Sequence, residues 1–363
     1  MLTVLIKAQT KTHSQQFVEL RTHFGEPIIY SDSLGSTLTK TFIAANIRWG
    51  IQSQATSSQN ILLAYPAYGI GLYHVNLSNP DTLGRPWALY GFYSAPIFRW
   101  GKLSLGYDLA LGIAWNFSKF NFITNNKMDL IGSNLNAYFN GGLFLKYEIS
   151  NRLDLSLAVD FTHFSNGAVN MPNKGMNLRG VNGSLSYHFM THSNQAYKRA
   201  DFESLSIPKF KKYNEIDITT SLGGKATTTR YQTGPIYLAT TTEVDFYHHY
   251  QCIGKYGAGL DMFYDNSLSE SYLSTLPTPT NKFMFVGIHL SHELRFSKLG
   301  VVTQAGTYLY RGSAAKGWFF FRLSLQYYLS SNLYAGVSLK TANGFKADYI
   351  TLGLGYRFVL RKQ

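Results

Sequence analysis

Long stretches of the chain alternate apolar and polar residues with a period of two, and Gly, Asn, Ser and Pro cluster between them. In a β-strand successive side chains point to opposite faces, so the pattern predicts strands with one greasy and one polar face. In residues 103–117, Leu103, Leu105, Tyr107, Leu109, Leu111, Ile113, Trp115 and Phe117 share a face opposite Ser104, Asp108 and Asn116. Residues 134–149 set Leu135, Ala137, Phe139, Leu143, Leu145, Tyr147 and Ile149 against Asn136, Asn140, Lys146 and Glu148. The first half predicts eight strands, near 17–24, 36–53, 60–76, 87–99, 103–117, 134–149, 152–165 and 178–190.

These segments suit a membrane rather than water. The 363 residues include 26 Tyr, 25 Phe and 32 Gly, and only 15% are charged. No apolar run reaches the roughly 18 residues that a transmembrane helix requires, whereas about 9 to 11 tilted strand residues cross the same slab. A sheet satisfies its backbone in lipid only by closing, so the fold class is all-β, an antiparallel transmembrane barrel of the outer-membrane type. The turn at residues 148–154 is tight, while 118–133 and 166–177 are longer and rich in Asn and Gly. Short turns face the periplasm and long loops the outside, so the strand ending at Ser165 rises toward the outer leaflet. MLTVLIKAQT reads as the tail of an export signal, with Ala8 before Gln9, so residues 1–9 are expected to be its remnant. The single cysteine, Cys252, excludes an internal disulfide framework and any multi-cysteine metal site.

The design repeats. After a polar stretch at 190–211, the segments KFMFVGIHLSHELRF, LGVVTQAGTYLYR, WFFFRLSLQYYL, NLYAGVSLKT and DYITLGLGYRF parallel the last five strands of the first half. The turn YLSSNLY mirrors YEISNRLD, and the strand ending GYRF mirrors SYHF. The expected organisation is a unit at 10–189, a linker at 190–211 and a second, degenerate unit at 212–363, each of about eight strands. Two such units form either one barrel of about 16 strands or two narrow filled barrels. The single barrel is preferred slightly, because each half begins with a short, poor strand that would close weakly alone.

One strand carries chemistry. In LDLSLAVDFTHFSNG (153–167), Leu153, Leu155, Leu157, Val159 and Phe161 share the lipid face, and His163 and Ser165 continue that row; Asp154, Ser156, Ala158, Asp160 and Thr162 face the other way. A hydroxyl nucleophile beside a potential base, both facing lipid, points to an enzyme acting on the membrane itself. A lone His or Ser at a strand end is more often an interfacial polar residue, but the repeat supplies an internal control. Matching Asn166-Gly167 to Asn343-Gly344 places Lys340 opposite His163 and Ala342 opposite Ser165, while a register shifted by one places Thr341 and Asn343 there. Neither yields His-x-Ser at the matching position, so at this strand end the set belongs to one half only. His188, His248, His249, His289 and His292 read as structural.

The segment HFSNGAVNMPNKGMN (163–177) resembles the lipid A 3-O-deacylases, PagL-like outer-membrane enzymes also known as acyloxyacyl hydrolases, and the likeness extends over residues 17–190. The resemblance implies a serine esterase that removes an ester-linked acyl chain from lipid A at the outer surface of the barrel. On that match Ser165 is the nucleophile and His163 the base, with Asn166 and Asn173 at motif positions around them. Where the family carries the acid that orients the histidine, this chain has Asn177, on the lipid face of the next strand beside His163. An amide can hold the histidine tautomer but cannot stabilise an imidazolium by charge. Oxyanion donors are expected from the Asn166 amide with the backbone N–H of Gly167 or Ala168. The chemistry needs no metal and no cofactor.

The 33 basic and 20 acidic residues give a net charge of +13, which suits an anionic substrate. Lys174 and Arg179 flank the site where the phosphates of lipid A in lipopolysaccharide would lie. Nucleic acid is excluded as a partner, because the aromatics lie on strand faces with no basic tract between them. Insertion by a barrel-assembly machinery is expected of any such protein in a Gram-negative outer membrane. The alternative from another class is a non-enzymatic pore or envelope scaffold.

Overall fold

Sixteen antiparallel strands close into two separate barrels in the computed structural model, which describes residues 15–28, 41–53, 58–190, 210–229, 232–272, 280–313, 316–342 and 346–360. The first comprises β1 (Gln15–Ile28), β2 (Phe42–Gln52), β3 (Ala67–Asn76), β4 (Gly84–Trp100), β5 (Leu103–Phe117), β6 (Asn136–Ser150), β7 (Leu153–Ser165) and β8 (Met176–His188). The second comprises β9 (Tyr213–Thr229), β10 (Gln232–Gln251), β11 (Gly254–Asp265), β12 (Met284–Phe296), β13 (Leu299–Arg311), β14 (Phe319–Tyr328), β15 (Leu333–Ala342) and β16 (Lys346–Val359). No helix among the described residues is long and apolar enough to cross a membrane. The expected export-signal remnant and nearly all of the polar linker lie outside the described residues.

The single barrel of about 16 strands is corrected to two barrels of eight. β1 is no short strand: it runs from Gln15 to Ile28 and pairs from Phe17↔His188 to Ile28↔Asn177 along β8. β9 closes on β16 in the same way, from Ile350↔Gly224 to Val359↔Glu215. Each half thus closes on itself.

Alternation decides what each barrel holds. Leu155, Leu157 and Val159 of β7 are exposed to lipid, while Asp154 and Ser156 are buried in the lumen. Eight strands leave an interior just wide enough for side chains. In the first barrel Arg48 grips Asp108 through two hydrogen bonds of 2.7 and 2.9 Å, Arg21 pairs with Glu19 at 2.7 Å, and His23 meets Asp160 at 2.8 Å. Higher up, Tyr73, Tyr138, Phe117 and Phe164 fill the lumen beneath Met128, Leu130 and Ile131 of the long loop. The second barrel holds Lys255 among Glu215, Asp217 and Glu293 at 2.7 to 2.9 Å, and Arg322 between Glu243 and Asp261 at 2.7 and 2.8 Å. Among the described residues both lumens are thus lined with paired charges and aromatic rings.

Two local expectations also fail. Residues 60–64 do not begin a strand: Ser58–Leu62 forms a short helix, α1, before β3. Phe117 does not share the lipid face with Leu111 and Ile113. The backbone of Asn116 turns left-handed (φ 68°), which inverts the alternation and drives Phe117 into the core.

The barrels touch at both ends. At one, Gln59 of α1 donates to the Cys252 carbonyl at 3.0 Å, and the rings of Tyr93 and Phe296 meet at a tilt with centroids 4.4 Å apart. At the other, the Ala226 N–H donates to the Ala168 carbonyl at 3.0 Å.

The Arg48–Asp108 pair yields a stability prediction. Asp108→Ala strands a buried guanidinium, and a broken buried pair costs about 3 to 5 kcal/mol. Urea titration of the protein in lipid vesicles, read by heat-modifiable gel mobility, should show that loss; an unchanged midpoint would contradict the central role given to the pair.

Candidate active site

The end of β7 is pinned by Phe164. Its ring is fully buried, packed at 5.5 Å from Tyr138 and 5.3 Å from Phe117 between centroids. Because neighbours in a strand alternate, an inward Phe164 forces His163 and Ser165 outward on either side of it. β8 returns antiparallel with Asn177 directly opposite His163. The three side chains therefore meet on the outer wall: His163 Nε2 lies 2.9 Å from Ser165 Oγ, and His163 Nδ1 lies 2.5 Å from Asn177 Oδ1. A carboxamide oxygen accepts, so Nδ1 carries the proton and Nε2 presents its lone pair to the Ser165 hydroxyl. Asp160 faces the lumen, bonded to His23 and to Asn182 at 2.7 Å.

The loop after Ser165 is held from several sides. Gly167 and Ala168 both adopt left-handed backbone, with φ of 62° and 67°, a conformation that costs a non-glycine residue most. The Asn173 carboxamide accepts from the Asn166 N–H at 3.0 Å, and Ile131 bridges Asn173. The Asn166 carboxamide, expected to face an oxyanion, points instead toward the barrel mouth. It donates to Ser133 Oγ at 2.8 Å and accepts from the Asn170 N–H at 3.3 Å. Its parity explains this, since Asn166 follows outward Ser165. The N–H groups of Gly167 and Ala168 form no hydrogen bond among the described residues.

Gly175 (φ 79°) lets the chain pass over the imidazole; a Cβ there would lie 2.7 Å from His163 Cε1. Neither Ser133 nor Gly175 was singled out by the sequence pattern. The Pro-Asn-x-Gly turn was the available signal for Gly175, whereas Ser133 lies in another loop.

Lys174 and Arg179 do sit at the rim, but each already faces an acid: Lys174 Nζ lies 2.6 Å from Asp129, and Arg179 lies 3.1 Å from Glu26. Both pairs are exposed, and such pairs contribute little on their own. In the second barrel Lys340, aligned with His163, is buried in the lumen and bonded to Asp348 at 2.8 Å. Thr341 falls nearer the His163 face but hydrogen-bonds the Phe321 backbone. Of the two registers, the one that sets Lys340 opposite His163 thus fails on parity. His289, read as structural, joins Glu243 and Asp245 in a cluster of metal-competent groups. It bridges Asp245 and Asp261 at 2.6 Å each, and Arg322 supplies the balancing charge.

Two family models match the sequence. Residues 43–198 match "Lipid A 3-O-deacylase (PagL)", and residues 214–362 match "Acyloxyacyl hydrolase, C-terminal domain". The solved structure of the outer-membrane enzyme PagL is similar over 46% of this chain and 97% of its own, at 14% identity and a TM-score of 0.33. Pseudomonas aeruginosa OccK5 (OpdH) aligns over 96% of this chain and 98% of its own, at 11% identity and a TM-score of 0.23. Acinetobacter baumannii Omp33 aligns over the same shares at 8% identity and a TM-score of 0.19. With TM-scores this low, none of the three adds to the family match. No curated protein matches the sequence. The two family matches follow one another along the chain as the two barrels do, and the chain belongs to the lipid A 3-O-deacylase (PagL) family of Gram-negative outer-membrane hydrolases.

Proposed function

We propose that the protein is a serine esterase that removes an ester-linked acyl chain from lipid A of lipopolysaccharide in the outer leaflet. The observation that carries this reading is the Asn177–His163–Ser165 relay, aligned by two hydrogen bonds on the outer wall of the first barrel. His163 Nε2 takes the Ser165 proton as Oγ attacks the ester carbonyl, then gives a proton to the departing sugar hydroxyl; water clears the acyl enzyme by the reverse roles. Asn177 holds the tautomer and ring orientation. The N–H groups of Gly167 and Ala168 are the oxyanion donors in this scheme, their left-handed backbone keeping them out of any strand ladder.

The acyl chain lies along the exposed ridge of Leu155, Leu157, Val159 and Phe161 and never leaves the membrane. Lys174 and Arg179 exchange their exposed carboxylate partners for lipid A phosphates, an exchange made cheap by the weakness of surface ion pairs. Insertion through the barrel-assembly machinery belongs to the same reading.

Mass spectrometry of lipid A incubated with the purified protein tests it. Wild type should release an ester-linked fatty acid, and Ser165→Ala and His163→Ala should each lower kcat at least about 10³-fold; equal release by the variants would sink the assignment. Asn177→Leu removes the acceptor and should cost about 10²-fold or more, whereas Asn177→Asp places a carboxylate at the same distance and should maintain or raise kcat. A collapse in Asn177→Asp would show that the amide has a role of its own. Gly175→Val pushes a side chain onto the imidazole and should lower kcat about tenfold or more with the barrel still folded; an unchanged rate would mean that the ring position is not critical.

A further inference from the structure

The nucleophile is too well covered for a residue on an open barrel wall. Ser165 has the outward parity of the lipid-exposed row yet is only 8% exposed. A matching anomaly lies on the second barrel. In β9, Glu215, Asp217 and Ser221 are buried in the lumen and Ile218 and Leu222 are exposed to lipid, so Ala226 has outward parity, but it is 3% exposed. Ala226 is buried where the barrels meet, and the loop that follows Ser165 lies at the same contact. A Cβ on Gly167 would lie 2.2 Å from Ile350 Cδ1, so the glycine backbone rests on the Ile350 side chain.

The backbone of β9 explains the contact. Its ladder with β16 ends at Ile350↔Gly224, while its ladder with β10 runs on to Thr229. Beyond Gly224 the β16 side of β9 is a free edge, and an unpaired edge is a template for another segment. The Ala226 N–H on that edge donates to the Ala168 carbonyl at 3.0 Å. The loop that follows Ser165 thus takes the place that β16 vacates.

We propose that the second barrel completes the active site of the first: Ile350 and the Ala226 N–H hold Gly167 and Ala168 in the left-handed conformation that aims their N–H groups at the reacting carbonyl. This rests on the esterase reading above. Ile350 and Ala226 are positioning residues, acting through the loop. The second barrel, whose one His-x-Ser among the described residues, His289 and Ser291, is buried in the lumen, then has a task in the reaction that needs no chemistry of its own.

The test uses the full chain in vesicles containing lipopolysaccharide, with folding checked by heat-modifiable mobility and kcat and KM taken from fatty-acid release. Ile350→Ala removes the support beneath Gly167, and Ala226→Pro removes the donor; each should lower kcat about tenfold or more while KM stays within about twofold. Ile350→Val loses Cδ1 but keeps Cγ1, which lies 2.3 Å from the same Cβ position, and should retain more of the wild-type kcat than Ile350→Ala. Either folded variant suffices, since the two lie on different strands. If the folded variants keep wild-type kcat, or raise KM alone, the positioning role is overturned while a silent Ser165→Ala leaves the esterase reading standing. If Ser165→Ala releases as much fatty acid as wild type, the esterase reading fails and this inference with it.

Discussion

A sheet in hydrocarbon must pair every backbone N–H and C=O within itself, and the rest of this molecule depends on that constraint. It forces closure, and closure forces strict alternation between lumen and lipid along each strand. The lumen, only eight strands around, is then filled with paired charges and aromatic rings, as Arg48 with Asp108 and Lys255 with its three carboxylates illustrate. Polar side chains on the lipid face are costly in mid-membrane, so chemistry on the outer wall belongs at a strand end. His163, Ser165 and Asn177 occupy such an end.

The same constraint gives the site its rigidity. A strand end in water frays, but the end of β7 is locked by a buried Phe164 whose ring packs on aromatics from β5 and β6. The residues either side of it have no freedom to change face. The pairing of β7 with β8 then sets His163 beside Asn177 without any loop being involved. The alignment of the three side chains comes from register, whereas the loop from Asn166 to Gly175 depends on contacts from Ser133, Leu130 and the second barrel.

Much of the fold was legible because period-two alternation is a local property. The expected bounds of β5 and β13 coincide with the observed strands, and β7 differs by one residue. Errors arose where non-local or backbone effects override the pattern. Residues 60–64 are apolar enough for a strand but coil into a short helix, and the left-handed Asn116 reverses the face of Phe117. The placement of His163, Ser165 and Asn177 on one face followed from parity. That Asn166 turns to Ser133 did not, since Ser133 lies 33 positions away and no local rule connects them.

The sequence by itself determined the fold class, the lipid and lumen faces, and the placing of His163 and Ser165 on one face at a strand end, because each follows from spacing along a strand. Tertiary structure alone decided the number of barrels, since alternation is identical whether β8 pairs with β1 or with β9. It also decided what meets the loop that follows Ser165. The meeting of Gly167 with Ile350 and of Ala168 with Ala226 joins residues far apart in the chain, through a ladder that ends early and leaves an edge to be filled.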